Sequence, residues 1–177
     1  RIDVSEGALR EGLLYDLIGR VHNEDIRDQT ITALGQRYNA HIDQANRVRV
    51  TAEHLFHQVK NDWELDEKAD LKLLVWGAFI HEIGLSVAHN QYHRHGAYLT
   101  ANSDLAGFSR QDQAKLAMLV HRSRSTRDLP MIRISVNKNR INLDFPSDWF
   151  DDHPLTHVDL STEQGFLDAA DFNLIFD

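Results

Sequence analysis

The stretch Leu71-Lys-Leu-Leu-Val-Trp-Gly-Ala-Phe-Ile80 constrains the fold more than any other part of the chain, because it carries one charge in ten residues. A helix of that composition is apolar almost all round and is stable only when neighbours cover every side. Its longest uninterrupted apolar run, Leu73 to Ile80, falls far short of the ~20 residues that cross a bilayer. The neighbours must therefore be protein, and the sequence supplies them.

Ser5 to Ile18 repeats Ala8, Leu9, Leu13 and Leu17 at helical spacing behind a Ser5 cap, and Gly7 and Gly12 inside it predict a close-packed neighbour. A helix over Asn23 to Tyr38 is expected to bury Ile26, Thr30, Ala33 and Leu34. The next starts after Asp43 and presents Val48, Ala52, Leu55, Phe56 and Val59. The central helix follows Asp66 and ends at His81-Glu-Ile-Gly84, where Gly84 is expected as a left-handed terminating residue. After a connection through Asn90, a helical stretch is expected near His93 to Ala101. Ser109 then caps a helix from Arg110 to about Arg124 with Ala114, Ala117, Met118 and Val120 on its inner face.

Beyond Pro130 the period changes from helical to alternating. Met131 to Val136 and Arg140 to Phe145 read as two strands of a β-hairpin around Asn137-Lys-Asn139, and Leu155 to Leu160 as a third strand. Ser161-Thr-Glu-Gln164 has the form of a capping box opening a short helix to Ala170, and Phe172 to Phe176 is a closing strand. The expected class is thus mainly α: a helical bundle followed by a small α+β domain with an antiparallel hairpin. Three parts are expected, residues 1–19, 20–129 and 130–177.

Composition narrows the function. Without Cys, disulfide frameworks, thiolate metal sites and cysteine nucleophiles are excluded. The net charge of -8 argues against a nucleic-acid partner, which requires surplus Lys and Arg. No segment is an integral membrane span, and Arg1-Ile-Asp-Val-Ser5 is not a secretion signal, so a cytoplasmic location is expected. The charge is unevenly spread. His89 to Arg127 holds Arg94, Arg110, Lys115, Arg122, Arg124 and Arg127 against Asp104 and Asp112, giving +4 while the remainder is -12. Four of the 11 His, at 89, 93, 95 and 121, share this stretch. Anions are drawn here and repelled elsewhere.

Two groups of residues invite chemistry. His81 and Glu82 at the end of a buried helix could both reach one divalent metal, as in phosphohydrolases of the HD type, although Glu replaces the usual Asp. The preceding helix offers Asn46 and Arg47 where a further ligand is wanted, and Arg47 cannot bind a metal. The other reading of the pair is structural, a His bonded to its neighbours and a Glu paired with an Arg. His93 and His95, about 200 degrees apart on a helix, suit a phosphate-binding surface with Arg94 better than a metal centre. There is no nucleophile elbow and no Gly-rich phosphate loop, and Trp63, Trp76 and Trp149 read as packing anchors.

The sequence resembles the C-terminal region of the exopolyphosphatase and guanosine pentaphosphate phosphatase family. The resemblance lies in Ser5-Glu-Gly-Ala-Leu-Arg-Glu-Gly-Leu-Leu-Tyr-Asp16, in Ala78-Phe-Ile-His-Glu-Ile-Gly-Leu85, and above all in Tyr92-His-Arg-His-Gly-Ala-Tyr-Leu99 with Asn102-Ser-Asp-Leu-Ala-Gly-Phe-Ser-Arg110. It implies that residues 1–19 are the last helix of an upstream actin-like module or a linker, that 20–129 form an HD-like helical domain, and that 130–177 form a terminal domain. The catalytic acids, phosphate loops and Mg2+ belong to the upstream module in such enzymes, so the resemblance implies a piece that lacks catalysis and holds no cofactor. Its implied roles are dimerisation and gripping inorganic polyphosphate, with the upstream domain as a further partner. His93, Arg94, His95, Arg110, Arg122 and Arg124 are the expected phosphate contacts. The alternative is an HD-type metal-dependent phosphohydrolase acting on guanosine pentaphosphate, with His81 and Glu82 as ligands. A third reading is a dimer scaffold whose basic stretch meets an acidic surface of its partner. The family's usual further helix pair before the hairpin is missing, since Leu119-Val120 runs straight into His121-Arg-Ser-Arg124.

Overall fold

A computed structural model describes residues 25–122 and 130–176, with the backbone alone at Arg122. The helix expected over Ser5 to Ile18, and Arg124 with it, lies outside the described residues.

Helix α1, Ile26–Arg37, is capped by Asp25, whose carboxylate accepts from Arg27 N at 3.1 Å. Its inner face is Ile31, Leu34 and Gly35. The expected Ala33 is exposed and Ile26 is 37% exposed, because α1 lies on the central helix along its Gly35 side, where a Cβ would stand 2.4 Å from Phe79 Cε1. Helix α2, Ile42–Val59, begins one residue before Asp43 and buries Gln44, Ala45, Phe56 and Val59. Helix α3, Asp70–Ile80, is the central one as expected. Trp76 and Ile80 join Ile31, Leu34, Ile83, Leu105, Leu116 and Val120 in the core. The Trp76 indole donates to Asp28 Oδ1 at 2.7 Å, and the Arg27 guanidinium sits 4.7 Å from its ring. Arg27 in turn grips Asp25 and, helped by Lys72, holds its carboxyl far below the usual carboxylate range.

Gly84 corrects an expectation. It lies in a 3-10 turn, Ile83–Ser86, and Gly107 alone among the described glycines has the left-handed backbone. The reason for glycine at 84 is proximity: a Cβ would stand 1.9 Å from Tyr92 O and 2.5 Å from Gly96 N. The turn is therefore pressed against the first turns of helix α4, Tyr92–Asn102. Helix α5, Arg110–Arg122, is capped as expected: Asp112 N donates to Ser109 Oγ, which donates back to the Asp112 carboxylate. Its inner face differs from the expected one. Leu116 and Val120 are fully buried with Ala117 beside them, whereas Ala114 is exposed and Met118 is 67% exposed. Packing between α3 and α4 sets this rotation. Gly77 of α3 approaches Leu119, and Gly96 of α4 approaches Val120. The helix runs unbroken through Val120 and His121.

The terminal part is a three-stranded sheet with two helices. Strands β1, Arg133–Asn137, and β2, Arg140–Asp144, form the expected antiparallel hairpin, with Lys138 left-handed at its tip. After helix α6, Trp149–Asp152, the strand expected over Leu155 to Leu160 is instead the first half of helix α7, Pro154–Asp168. Pro154 occupies its first turn, where the missing N–H costs nothing. The expected capping box falls inside this helix, and Ser161 Oγ donates back to His157 O at 2.7 Å. Strand β3, Asn173–Phe176, returns parallel to β2, giving the order β1-β2-β3. One side chain ties this part to the bundle: Gln58 of α2 donates to Ile132 O and accepts from Ile134 N, pairing with β1 as a neighbouring strand would.

Candidate functional site

Arg94, His93, His95 and His121 gather where α4 begins. Its N-cap, Gln91, is left-handed, with φ 55 and ψ 32, and supplies no capping hydrogen bond. The first turn contains no acid and instead holds His93 and Arg94, with His95 next. This is opposite to the usual pattern, in which carboxylates sit at the positive end of the helix dipole. A helix start without a side-chain cap or an acid, and with an arginine in its first turn, is an anion-attracting end.

Helices α4 and α5 run antiparallel, and their contacts decide which predicted residues meet. At one end, Gln113 of α5 donates to the carbonyls of Thr100, Ala101 and Ser103, closing α4. At the other, the His93 ring meets His121 edge-on at 5.5 Å. His93, Arg94, His95, His121 and the backbone of Arg122 therefore share one end of the pair. Arg110 starts the 13-residue α5, so it stands about 18 Å away at the opposite end. The Arg122 side chain and all of Arg124 lie outside the described residues. Arg94 is exposed and donates to Gln91 Oε1 at 3.1 Å. Among the described residues no carboxylate pairs with Arg94, Arg110 or Lys115, while Arg49 holds Glu53 and Lys72 holds Asp25 and Asp28.

His81 and Glu82 lie in the interior, 1% and 9% exposed. His81 Nδ1–H donates to Ala78 O at 2.7 Å, which leaves Nε2 as the free lone pair, 3.9 Å from Glu82 Oε1 and without a hydrogen-bond partner. Burial pushes the imidazole pKa down, so it stays neutral. One orphaned nitrogen and one carboxylate are too few for a catalytic divalent ion, which takes three protein ligands. No cluster of three His, Asp or Glu suited to a metal occurs among the described residues. Asn46 is exposed, and Arg47 donates to the Gln44 side chain. The donor set does not fit the HD-type metal centre. Nor does Glu82 form the Arg pair of the structural reading among the described residues, where its near neighbour is His81.

Tyr92, the first residue of α4, is a buried polar group that sequence reasoning did not single out. Its hydroxyl is buried without a hydrogen-bond partner, and burial, reinforced by the charges of Glu82 and Asp159, raises its pKa. The only signal was its place beside His93. Trp76 and Trp149 are anchors as expected, Trp149 being stacked between Phe145 at 5.1 Å and His153 at 4.0 Å.

A helical bundle closed by a small mixed α+β part defines the class. Its residues 26–133 match the family described as Ppx/GppA phosphatase, domain III. The chain is 30% identical over 198 aligned residues to a guanosine-5'-triphosphate,3'-diphosphate pyrophosphatase of Pseudoalteromonas translucida (strain TAC 125), covering 92% of this chain and 40% of that protein. A protein of the same name from Aeromonas hydrophila subsp. hydrophila is 30% identical over 193 residues, covering 89% and 39%. The chain belongs to the Ppx/GppA phosphatase family, in its C-terminal region. It spans about two fifths of the length of these relatives. An alignment of 198 positions also exceeds the 177 residues of the chain, so the relative has residues that this chain lacks.

Proposed function

We propose that this chain is a non-catalytic, phosphate-gripping part of an enzyme that removes terminal phosphate from inorganic polyphosphate, with bond cleavage and its Mg2+ residing in sequence beyond this chain. The observation that carries the proposal is the start of α4, where exposed Arg94, with no carboxylate partner among the described residues, stands beside His93, His95 and His121 at a helix start without a side-chain cap. The separation of Arg94 from Arg110 favours an extended polyanion over a single phosphate group, because only a polymer reaches both ends of the helix pair. Self-association into a dimer, and contact with the upstream catalytic module, complete the proposed role. No helix of the described residues is long and apolar enough to cross a membrane.

Titration with long-chain polyphosphate at two salt concentrations tests the grip. Affinity should fall steeply with salt, since each neutralised phosphate releases condensed counterions. Absence of binding at low salt ends the proposal. The relatives' name directs attention to a guanosine nucleotide as well. If guanosine pentaphosphate binds as tightly as long-chain polyphosphate, the polymer preference is wrong while the phosphate site stands.

A further inference from the structure

Helix α7 has two apolar sides, and the fold uses one of them. Leu160, Gln164 and Leu167 are half-buried towards the sheet, and Gln164 Nε2 donates to Leu174 O at 2.8 Å. On the opposite side stand Leu155 and Val158, 59% and 58% exposed, followed by Thr162, Gly165 and Ala169. Steps of three and four residues place these five on one stripe. A helix apolar on both sides belongs between two layers.

Gly165 adds an independent sign. Among the described residues nothing lies within 4 Å of where its Cβ would stand. Glycine inside a helix costs stability, and no contact among the described residues needs it there. A second helix crossing at close range would need it. Charge then selects the kind of helix. From Ile141 to Asp177 the chain has nine Asp and Glu and no Lys or Arg. Exposed Asp159 and Asp168 flank the stripe on its two sides, and Asp151 and Asp152 of α6 precede it.

We propose that the solvent side of α7 is a docking face for a basic amphipathic helix of a partner polypeptide. The partner's apolar residues lie on Leu155 and Val158, its backbone crosses at Gly165, and its Lys or Arg side chains meet Asp159 and Asp168. A second copy pairing α7 with α7 would set acidic rim against acidic rim. Residues 1–24 carry five acids against three Arg, so this segment lacks the complementary charge too.

The test uses the full chain and a labelled amphipathic helical peptide with a Leu face and a Lys face, followed by fluorescence anisotropy. Wild type should bind it saturably. Leu155→Asp with Val158→Asp should weaken binding about tenfold or more, even though two added negative charges would strengthen purely electrostatic capture. Gly165→Ala should raise Tm and yet weaken the peptide, so the inference remains testable if the double variant fails to fold. Unchanged or tighter binding by these variants overturns it. It is equally overturned if wild type sediments as an oligomer that the double variant reduces to monomers, since a second copy would then cover the face.

Discussion

Gly84 shows how one missing methyl group can hold a fold together. A Cβ there would meet the Tyr92 carbonyl and the Gly96 amide, and both are backbone that cannot swing aside. Gly84→Ala should therefore destabilise by about 3 kcal/mol or more, the upper end for overpacking, as a reduced urea midpoint in chemical denaturation. His81 makes a prediction of a different kind. Burial holds its imidazole below the ordinary pKa, so the unfolded chain binds a proton that the folded chain refuses. Its contribution to stability is complete above the unfolded value of about 6.5 and is lost as pH falls below it. The urea midpoint should fall between about pH 7 and pH 5.5, and His81→Gln should shrink that fall. An equal fall in both proteins would show that other groups control it.

At the scale of elements, side-chain amides perform tasks that backbone usually performs. Gln113 supplies donors to three carbonyls at the end of α4, and Gln58 borders β1. Replacing Gln113 by Ala leaves those carbonyls without their donor and should cost about 1–3 kcal/mol. Hydrogen exchange should show the loss as faster exchange in the last turn of α4, with α1 unchanged. Gln58→Ala should loosen β1 while sparing the core around Trp76, which differential exchange would resolve. Helix α7 was illegible for a physical reason. Leu155-Thr-His-Val-Asp-Leu160 combines β-branched residues with near-alternation, and its exposed apolar side removes the single-sided stripe by which helices are read.

For the whole molecule, the expectation concerns how charge is distributed. Arg94→Ala and Arg110→Ala should each weaken long-chain polyphosphate and lower the salt slope by about one phosphate's worth, with the double variant showing both losses. Short polyphosphate, unable to span the helix pair, should feel Arg94→Ala more than Arg110→Ala. Equal sensitivity of short chains to both variants would contradict the placement of the two cations at opposite ends. The core residues were partly legible at this scale: Trp76 and Ile80 follow from the apolar run, while Ile31 and Leu116 do not, since Ile26 and Ala33 on one helix and Met118 on the other offer a competing apolar side.

Sequence by itself determined the central helix, the hairpin, the basic middle and the family, because these rest on local composition, period two and irregular motifs readable along the chain. Tertiary structure alone decided that Leu116 rather than Met118 faces inward, that Gly84 answers to a carbonyl rather than a dihedral, and that Arg94 and Arg110 stand at opposite ends. Periodicity specifies that a helix has an apolar side but leaves its rotation open by tens of degrees. The neighbours that settle this rotation are distant in sequence, and close approaches occur at Gly35, Gly84 and Gly96, where the absence of a side chain lets another element in.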